Sequence, residues 1–135
     1  MNSLADSSNA MIDSAVAADA MYSFAFEMVT GERWLEAAEI FRAMLLFFPR
    51  DERSWLGLGR CHHEVGQSAV ALELYGLGVR AVPGAVRTRV ALARLLQESN
   101  RENEAEQVLE AAEQIAESLD DGELVQIIAR ARRQS

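Results

Sequence analysis

The stretch WLGLGRCHHEVGQSAVALELYGLGVRAVP, residues 55–83, decides the fold. Its landmark residues are aromatic, small or helix-ending, and they follow the spacing W-x2-L-G-x6-G-x4-A-x3-Y-x2-G-x4-P. They are Trp55, Leu58, Gly59, Gly66, Ala71, Tyr75, Gly78 and Pro83. Small residues at these intervals let two antiparallel helices cross closely, and a proline ends the second helix. The stretch therefore predicts a helical hairpin.

The same landmarks recur before and after this stretch at a constant interval. One helix-contact position holds Ala25, Gly59 and Ala93, and the other holds Ala37, Ala71 and Ala105. A period of about 34 residues with these landmarks is the tetratricopeptide pattern. The third copy has lost the Trp, Gly and Pro landmarks, as terminal repeats often do. We therefore predict an all-α tetratricopeptide-repeat superhelix with three helix pairs plus N-terminal and C-terminal capping helices.

The expected organisation is an N-terminal segment with a short helix (1–19), repeats at 20–50, 51–84 and 85–118, and a C-terminal capping helix and tail (119–135). Helices are predicted near 9–18, 20–31, 34–48, 52–65, 68–82, 86–98, 102–118 and 121–133. Pro49 and Pro83 stop second helices, and Asp51 is suited to cap the next one. The amphipathic N-terminal segment is predicted to be a cap, and the alternative is a homodimer contact through this helix or the first repeat.

Length and composition favour one soluble domain. The chain has 135 residues and 50% hydrophobic residues, with a mean hydropathy of −0.05. No apolar run reaches the roughly 18 residues that a membrane-spanning helix needs. The segment 1–19 carries Asp6, Asp13 and Asp19 and no basic residue, so it does not resemble a secretory signal. We therefore expect a cytoplasmic protein, and a single cysteine rules out an internal disulfide.

The charge is negative overall but positive in the middle. A formal net charge of −8 argues against nucleic acid or an anionic membrane as the main partner. Residues 49–97, however, carry seven arginines and only four acids. All 13 basic residues other than histidine are arginines, so each can pair bidentately with a carboxylate. The basic middle segment indicates an anion-binding or carbonyl-binding surface within an acidic protein.

The only cysteine lies beside the only two histidines, in RCHHEVG (60–66), but the spacing does not favour a metal site or a catalytic site. Consecutive helical residues point about 100° apart, so Cys61, His62 and His63 cannot converge on one ion. We predict no metal and no cofactor, with Cys61 as a small core residue. No glycine-rich phosphate-binding loop is present either, and we therefore do not expect an enzyme.

In a tetratricopeptide stack the first helix of each pair lines the concave groove. The four groove-facing positions of the successive repeats hold Asp19, Tyr22, Phe26 and Val29, then Arg53, Leu56, Arg60 and His63, then Arg87, Val90, Arg94 and Gln97. One end is aromatic and apolar, and the rest carries four arginines around Leu56 and Val90. Such a groove suits an extended peptide whose apolar side chains fill pockets and whose carbonyls or acidic side chains accept from arginine.

Two alternatives remain for this surface. Tyr22 and Phe26 could instead pack under the N-terminal helix. The arginines could be solvated, or paired with neighbouring acids such as Glu64 and Glu98, which contributes only about 0–1 kcal/mol per exposed pair.

Four segments resemble the class II chaperones of bacterial type III secretion, the LcrH/SycD/IpgC family. They are MYSFAF (21–26), WLEAAEIFRAM (34–44), WLGLGRC (55–61) and ELYGLG (73–78). The resemblance covers about residues 12–117. It implies a three-repeat chaperone that holds translocator proteins soluble in the bacterial cytoplasm before export, by binding a short client segment in the groove.

By position, the resemblance assigns Tyr22 and Phe26 to the groove aromatics. It assigns Trp34, Leu58 and Tyr75 to positions important for client binding or folding, and Phe47 to another apolar position. Arg60 and Arg94 replace small or acidic residues of the family, so the client motif is expected to differ. Two other functions stay open. One is a generic adaptor that recognises chaperone C-termini, and the other is a structural role, as a permanent subunit of a secretion apparatus or a self-associating scaffold. The adaptor is disfavoured because its carboxylate clamp needs Lys and Asn where this chain has the two aromatics.

Overall fold

The computed structural model describes residues 3–134, with side chains described for residues 9–134. Within that range the chain forms seven helices and no strand. They are α1 (Ser3–Thr30), α2 (Trp34–Phe47), α3 (Glu52–Glu64), α4 (Ser68–Ala81), α5 (Val86–Glu98), α6 (Glu102–Ser118) and α7 (Gly122–Arg133). Residues 1, 2 and 135, at the outer ends of the two predicted terminal segments, lie outside the described residues. No described helix is both long enough and apolar enough to cross a membrane.

The helices pack as three pairs and a cap. The pairs are α1 with α2, α3 with α4, and α5 with α6, while α7 packs against α6 and α5. Successive pairs contact each other through α2 with α3, α4 with α5, and α3 with α5. The observed limits of α2 to α7 lie within one residue of those predicted from the repeat. The predicted all-α tetratricopeptide architecture is therefore confirmed.

The predicted break between a short helix at 9–18 and a second helix at 20–31 is wrong. A single helix, α1, continues from Ser3 to Thr30. The stretch AVAADAM (15–21) contains no glycine or proline and is rich in alanine, the strongest helix former. Residues 9–17 of α1 are all exposed, and Ala18 is the first buried residue among those of α1 whose side chains are described. Residues 9–17 are therefore a solvent-exposed extension of the first repeat helix.

The turn inside each pair repeats the same backbone geometry. Glu32, Gly66 and Asn100 occupy the same position of the three repeats, and all have positive φ values, of 57°, 85° and 59°. The next residue donates its N–H to the carbonyl five positions earlier, Arg33 to Met28 (2.8 Å), Gln67 to His62 (2.8 Å) and Arg101 to Leu96 (2.9 Å). This arrangement satisfies carbonyls that a helix end leaves free. The third repeat therefore keeps the backbone of the second, although it lacks the glycine.

The small residues lie where the helices cross. The two contact positions, Ala25, Gly59 and Ala93 together with Ala37, Ala71 and Ala105, are all buried. At Gly59 the approach is so close that a Cβ would overlap the ring of Tyr75 in the paired helix α4. Close pairing of α3 and α4 therefore depends on the absence of a side chain at this position, which fixes the angle at which α3 faces the groove.

Candidate peptide-binding groove

An open cavity of about 550 Å³ is bordered by the first helix of each pair, α1, α3 and α5, and by α7. Ten of the predicted site residues line it: Tyr22, Phe26, Val29, Arg53, Leu56, Arg60, Tyr75, Arg87, Val90 and Arg94. Four further residues that the sequence did not single out complete the wall: Phe41, Gly57, Ala91 and Ile127. Gly57 and Ala91 each lie one residue from a predicted groove position, so repeat periodicity could have identified them. We call this cavity the groove.

Four predicted site residues do not line the groove, and their assignment to client binding stays a prediction. Leu58 is 4% exposed and belongs to the core around α1, α2 and α3. Phe47 lies at the end of α2, is 70% exposed, and has its ring 6.4 Å from that of Phe48. A tetratricopeptide stack turns its second helices outward, which explains the position of Phe47.

The other two residues lie at the margin of the groove. Trp34, the first residue of α2, has the guanidinium of Arg60 over its ring, 5.7 Å from the centroid. His63 places its Nε2 3.1 Å from Oε2 of Glu98 and so links α3 to α5. Both residues therefore contact groove elements from the margin, and Trp34 also borders an adjoining cavity together with Phe26 and Arg60.

The apolar end of the groove is built by α1. The rings of Tyr22 and Phe26 lie 6.1 Å apart, and the Tyr22 ring lies 6.4 Å from that of Phe41 in α2. Phe26 remains 51% exposed. Because the N-terminal segment continues straight into the helix that carries these rings, it does not fold over them. The alternative in which an N-terminal helix covers Tyr22 and Phe26 is therefore excluded for the described residues.

The middle and far wall of the groove carries four arginines, but Arg53 differs from the others. Its Nε donates to Oδ1 of Asp51 (3.0 Å), and its Nη2 donates to Oδ2 of Asp51 (2.7 Å) and to Asp19 (2.9 Å). Its guanidinium also stacks on Tyr22, 4.7 Å from the ring centroid. Hydrogen bonding to Asp51 raises the pKa of Arg53, and the same bond lowers the pKa of Asp51. Arg53 is therefore occupied by contacts within the protein.

The other three arginines are weakly engaged. Arg60 has its Nε 4.0 Å from Glu64, and Arg87 has its Nη2 3.5 Å from Glu123, whose side chain is 77% exposed. Arg94 is exposed and forms no ion pair with any residue between 9 and 134. The alternative in which neighbouring acids pair with the arginines therefore applies fully to Arg53 and in part to Arg60 and Arg87. Among residues 9–134 it does not apply to Arg94.

The residues around Cys61 have structural environments. Cys61 is 2% exposed, as predicted for a small core residue, and burial raises the pKa of its thiol to about 11. His62 Nδ1 lies 2.6 Å from Oε1 of Gln67. Within the described part of the chain, no group of three or more His, Cys, Asp or Glu residues could hold a metal ion.

Sequence comparison finds a partial relative. No family model matches the chain. The low calcium response locus protein H of Yersinia pestis is 33% identical over 58 residues, which make up 43% of this chain and 34% of that protein. The matched segment thus spans about a third of the length of that curated relative.

Solved structures match over much more of the chain. SycD, the type III secretion translocator chaperone of Yersinia enterocolitica, matches with a TM-score of 0.77 at 24% identity, over 93% of each chain. PcrH of Pseudomonas aeruginosa, in its complex with the chaperone binding region of PopB, matches with a TM-score of 0.75 at 24% identity. The match covers 88% of this chain and 94% of PcrH. SycD bound to a peptide of the translocator YopD gives a TM-score of 0.66 at 23% identity, over 86% of this chain and 92% of SycD. The resemblance that the sequence motifs indicated is therefore confirmed, and the chain has the fold of the class II translocator chaperones of type III secretion.

Proposed function

We propose that the protein is a bacterial cytoplasmic chaperone of type III secretion. It binds an extended segment of a translocator, or of another secreted client, in the groove and keeps that client soluble before export. Proteins of the same fold have been solved with such segments, PcrH with the chaperone binding region of PopB and SycD with a YopD peptide. The sequence has no glycine-rich phosphate-binding loop, so binding and release are expected to follow mass action without a nucleotide.

The observation that carries this proposal is the composition of the groove. An open cavity of about 550 Å³ combines an aromatic end, formed by half-buried Tyr22 and exposed Phe26, with a wall of arginine donors. An extended segment that enters it would leave water with its backbone carbonyls unpaired, and burial of unpaired carbonyls is costly. Arginines supply those donors, while the aromatics supply the desolvated contacts that carry most of the binding energy in peptide interfaces.

The test is co-expression of the protein with secreted proteins encoded beside it, followed by a pull-down and measurement of client affinity. Phe26→Ala should weaken binding by about 2 kcal/mol, roughly a 30-fold loss of affinity, if Phe26 is an anchor. Phe24→Ala is the matched control. Phe24 lies on the same helix with 55% exposure against 51%, but it faces Ile40 and Ala43 outside the groove. Equal effects of the two substitutions would contradict groove binding.

A second measurement separates a chaperone from a permanent structural subunit. The complex is formed with a labelled client and mixed with an excess of the same client unlabelled. A chaperone should exchange the label within the lifetime set by its affinity. A complex that keeps its label indefinitely would favour the structural subunit instead.

A further inference from the structure

The groove has a charge that contrasts with that of the whole protein. The chain has a net charge of −8, yet the residues lining the groove include four arginines and no aspartate or glutamate. The nearest acids stay outside the lining, among them Asp19, Glu64 and Glu123. Glu64 lies near Arg60, and Glu98 and Glu102 lie near Arg94, but these acids border adjoining cavities and leave the lining of the groove itself positive. A positive lining is not required for donating hydrogen bonds to neutral backbone carbonyls. It is the arrangement expected where the groove binds a carboxylate of the ligand through arginine N–H donors.

The groove arginines differ in how many of their N–H donors remain available to bind a carboxylate. Arg53 directs its donors to Asp51 and Asp19 and its planar face to Tyr22. Arg94 has no ion pair within residues 9–134. Arg60 has a carboxylate at 4.0 Å and lies over the ring of Trp34, 5.7 Å from its centroid. Each guanidinium carries five N–H donors, so both retain donors for a ligand. Arg87 already has a carboxylate of Glu123 at 3.5 Å, so the least engaged donors of the groove are those of Arg60 and Arg94.

The surroundings of these two arginines strengthen such a contact. Leu56 of α3 and Val90 of α5 line the same cavity, and Val90 is only 3% exposed. A peptide lying over these apolar side chains excludes water from its own carboxylate. An ion pair that is partly withdrawn from water is screened less than one in bulk solvent. An acidic side chain is thus held best where arginine and apolar wall meet.

We propose that the segment bound in the groove carries an aspartate or glutamate next to its apolar anchors, and that Arg94 and Arg60 are the residues that select it. This inference rests on the proposed function and specifies the client. The apolar anchors occupy the Tyr22–Phe26 end, and the carboxylate lies further along, between α3 and α5. Arg53 acts as a positioning residue that holds Tyr22.

A polyanion such as nucleic acid fits this surface less well than a single carboxylate. Carboxylates flank the groove: Asp19 pairs with Arg53, Glu64 lies near Arg60, and Glu98 contacts His63 at the margin. These would repel a second and third phosphate as the strand leaves the cavity. A peptide with one acidic residue places its charge inside and only neutral backbone at the margin.

The test uses fluorescein-labelled decapeptides with two leucine anchors in an alanine and serine background, and one scanned position that holds Asp, Asn or Lys. Binding to the full chain is followed by fluorescence anisotropy at two salt concentrations. At one or more scanned positions, Asp should bind about tenfold tighter than Asn, the usual range for a charge-assisted hydrogen bond, and Lys weakest. The advantage of Asp over Asn should shrink as salt rises.

Variants locate the source of the preference. Arg94→Gln and Arg60→Gln, singly and together, should remove the advantage of Asp over Asn while the dependence on leucine stays. Arg80→Gln, at an exposed position of α4, removes the same charge away from the groove and should leave the advantage intact. Equal binding of Asp and Asn peptides, or an advantage that survives the double variant, would overturn this inference but leave a leucine-dependent chaperone in place. Binding that ignores the leucines, or no binding by any member of the set, would overturn the proposed function as well.

Discussion

The guanidinium of Arg53 lies over the ring of Tyr22, 4.7 Å from its centroid. Two carboxylates from different parts of the chain hold it there, Asp51 before α3 and Asp19 within α1. The arginine thus ties the aromatic end of the groove to the second repeat. A ring fixed in this way loses little conformational entropy when a ligand binds, which favours affinity.

Substitution Arg53→Lys should weaken client or peptide binding although it keeps the charge. Lysine lacks the planar face that stacks on Tyr22 and the fork that bonds Asp51, so the ring loses its support. The loss of affinity should be about 1 kcal/mol, the size of one cation–π contact, with the helical circular dichroism unchanged. Arg50→Lys, at an exposed neighbouring position, serves as the control. Wild-type affinity of Arg53→Lys would mean that only its charge matters.

The pair of Asp51 with Arg53 should also make stability depend on pH. Arg53 holds the pKa of Asp51 below its usual value, mainly through the side-chain hydrogen bond. A carboxyl whose folded pKa is depressed stabilises the fold above its unfolded pKa of about 3.9 and loses that contribution as the pH falls through the folded pKa. The advantage of the wild type over Asp51→Asn in urea unfolding should therefore be largest near neutral pH and should shrink below about pH 4.

Two outcomes decide this prediction. Asparagine keeps the capping acceptor that Asp51 offers to the Arg53 N–H (3.0 Å), so the variant removes mainly the charge. A stability difference that stays constant from neutral pH into acid would show that the charge of Asp51 contributes nothing to folding.

The fold could be predicted from the sequence because the three copies of the repeat carry the same residue types at the same spacing, so each copy supports the assignment of the others. The small residues at Ala37, Ala71 and Ala105 predicted where helices touch, and the three left-handed turn residues fall at the same period. The predicted break between two helices before residue 20 was wrong for a local reason. Nothing in an alanine-rich stretch ends a helix, and a repeat boundary does not require a helix boundary.

Periodicity also placed most of the groove, but it treated equivalent positions as equal. It could not foresee that Arg53, alone among the four groove arginines, is held by two carboxylates, because one of them, Asp19, comes from the preceding repeat. Leu58 was assigned to the site from the family resemblance, but it packs in the core. Leu56 was assigned from its groove-facing position in the repeat, and it lines the groove. The helical periodicity of α3 thus placed Leu56 in the groove lining, and it did not place Leu58 there.

The thiol of Cys61 should react slowly in the folded protein. It is 2% exposed, and burial raises its pKa to about 11, so roughly one thiol in a thousand is ionised at pH 8. Iodoacetamide labelling followed by mass spectrometry should therefore proceed far faster in guanidinium chloride than in buffer. Rapid labelling of the native protein would contradict the structural role assigned to this residue.

Two glycine-to-alanine substitutions should shift stability in opposite directions. At Gly59 a Cβ would overlap the ring of Tyr75, which is only 4% exposed. Overpacking of this kind typically costs about 1–3 kcal/mol. At Gly76, in α4, nothing lies within 4 Å of the added Cβ, so Gly76→Ala should stabilise the helix by about 0.5–1 kcal/mol. Urea unfolding measures both changes. A Gly59→Ala variant as stable as Gly76→Ala would mean that the close contact of α3 with α4 does not depend on the missing side chain, and that small residues at the repeat's crossing points are not needed for close helix pairing.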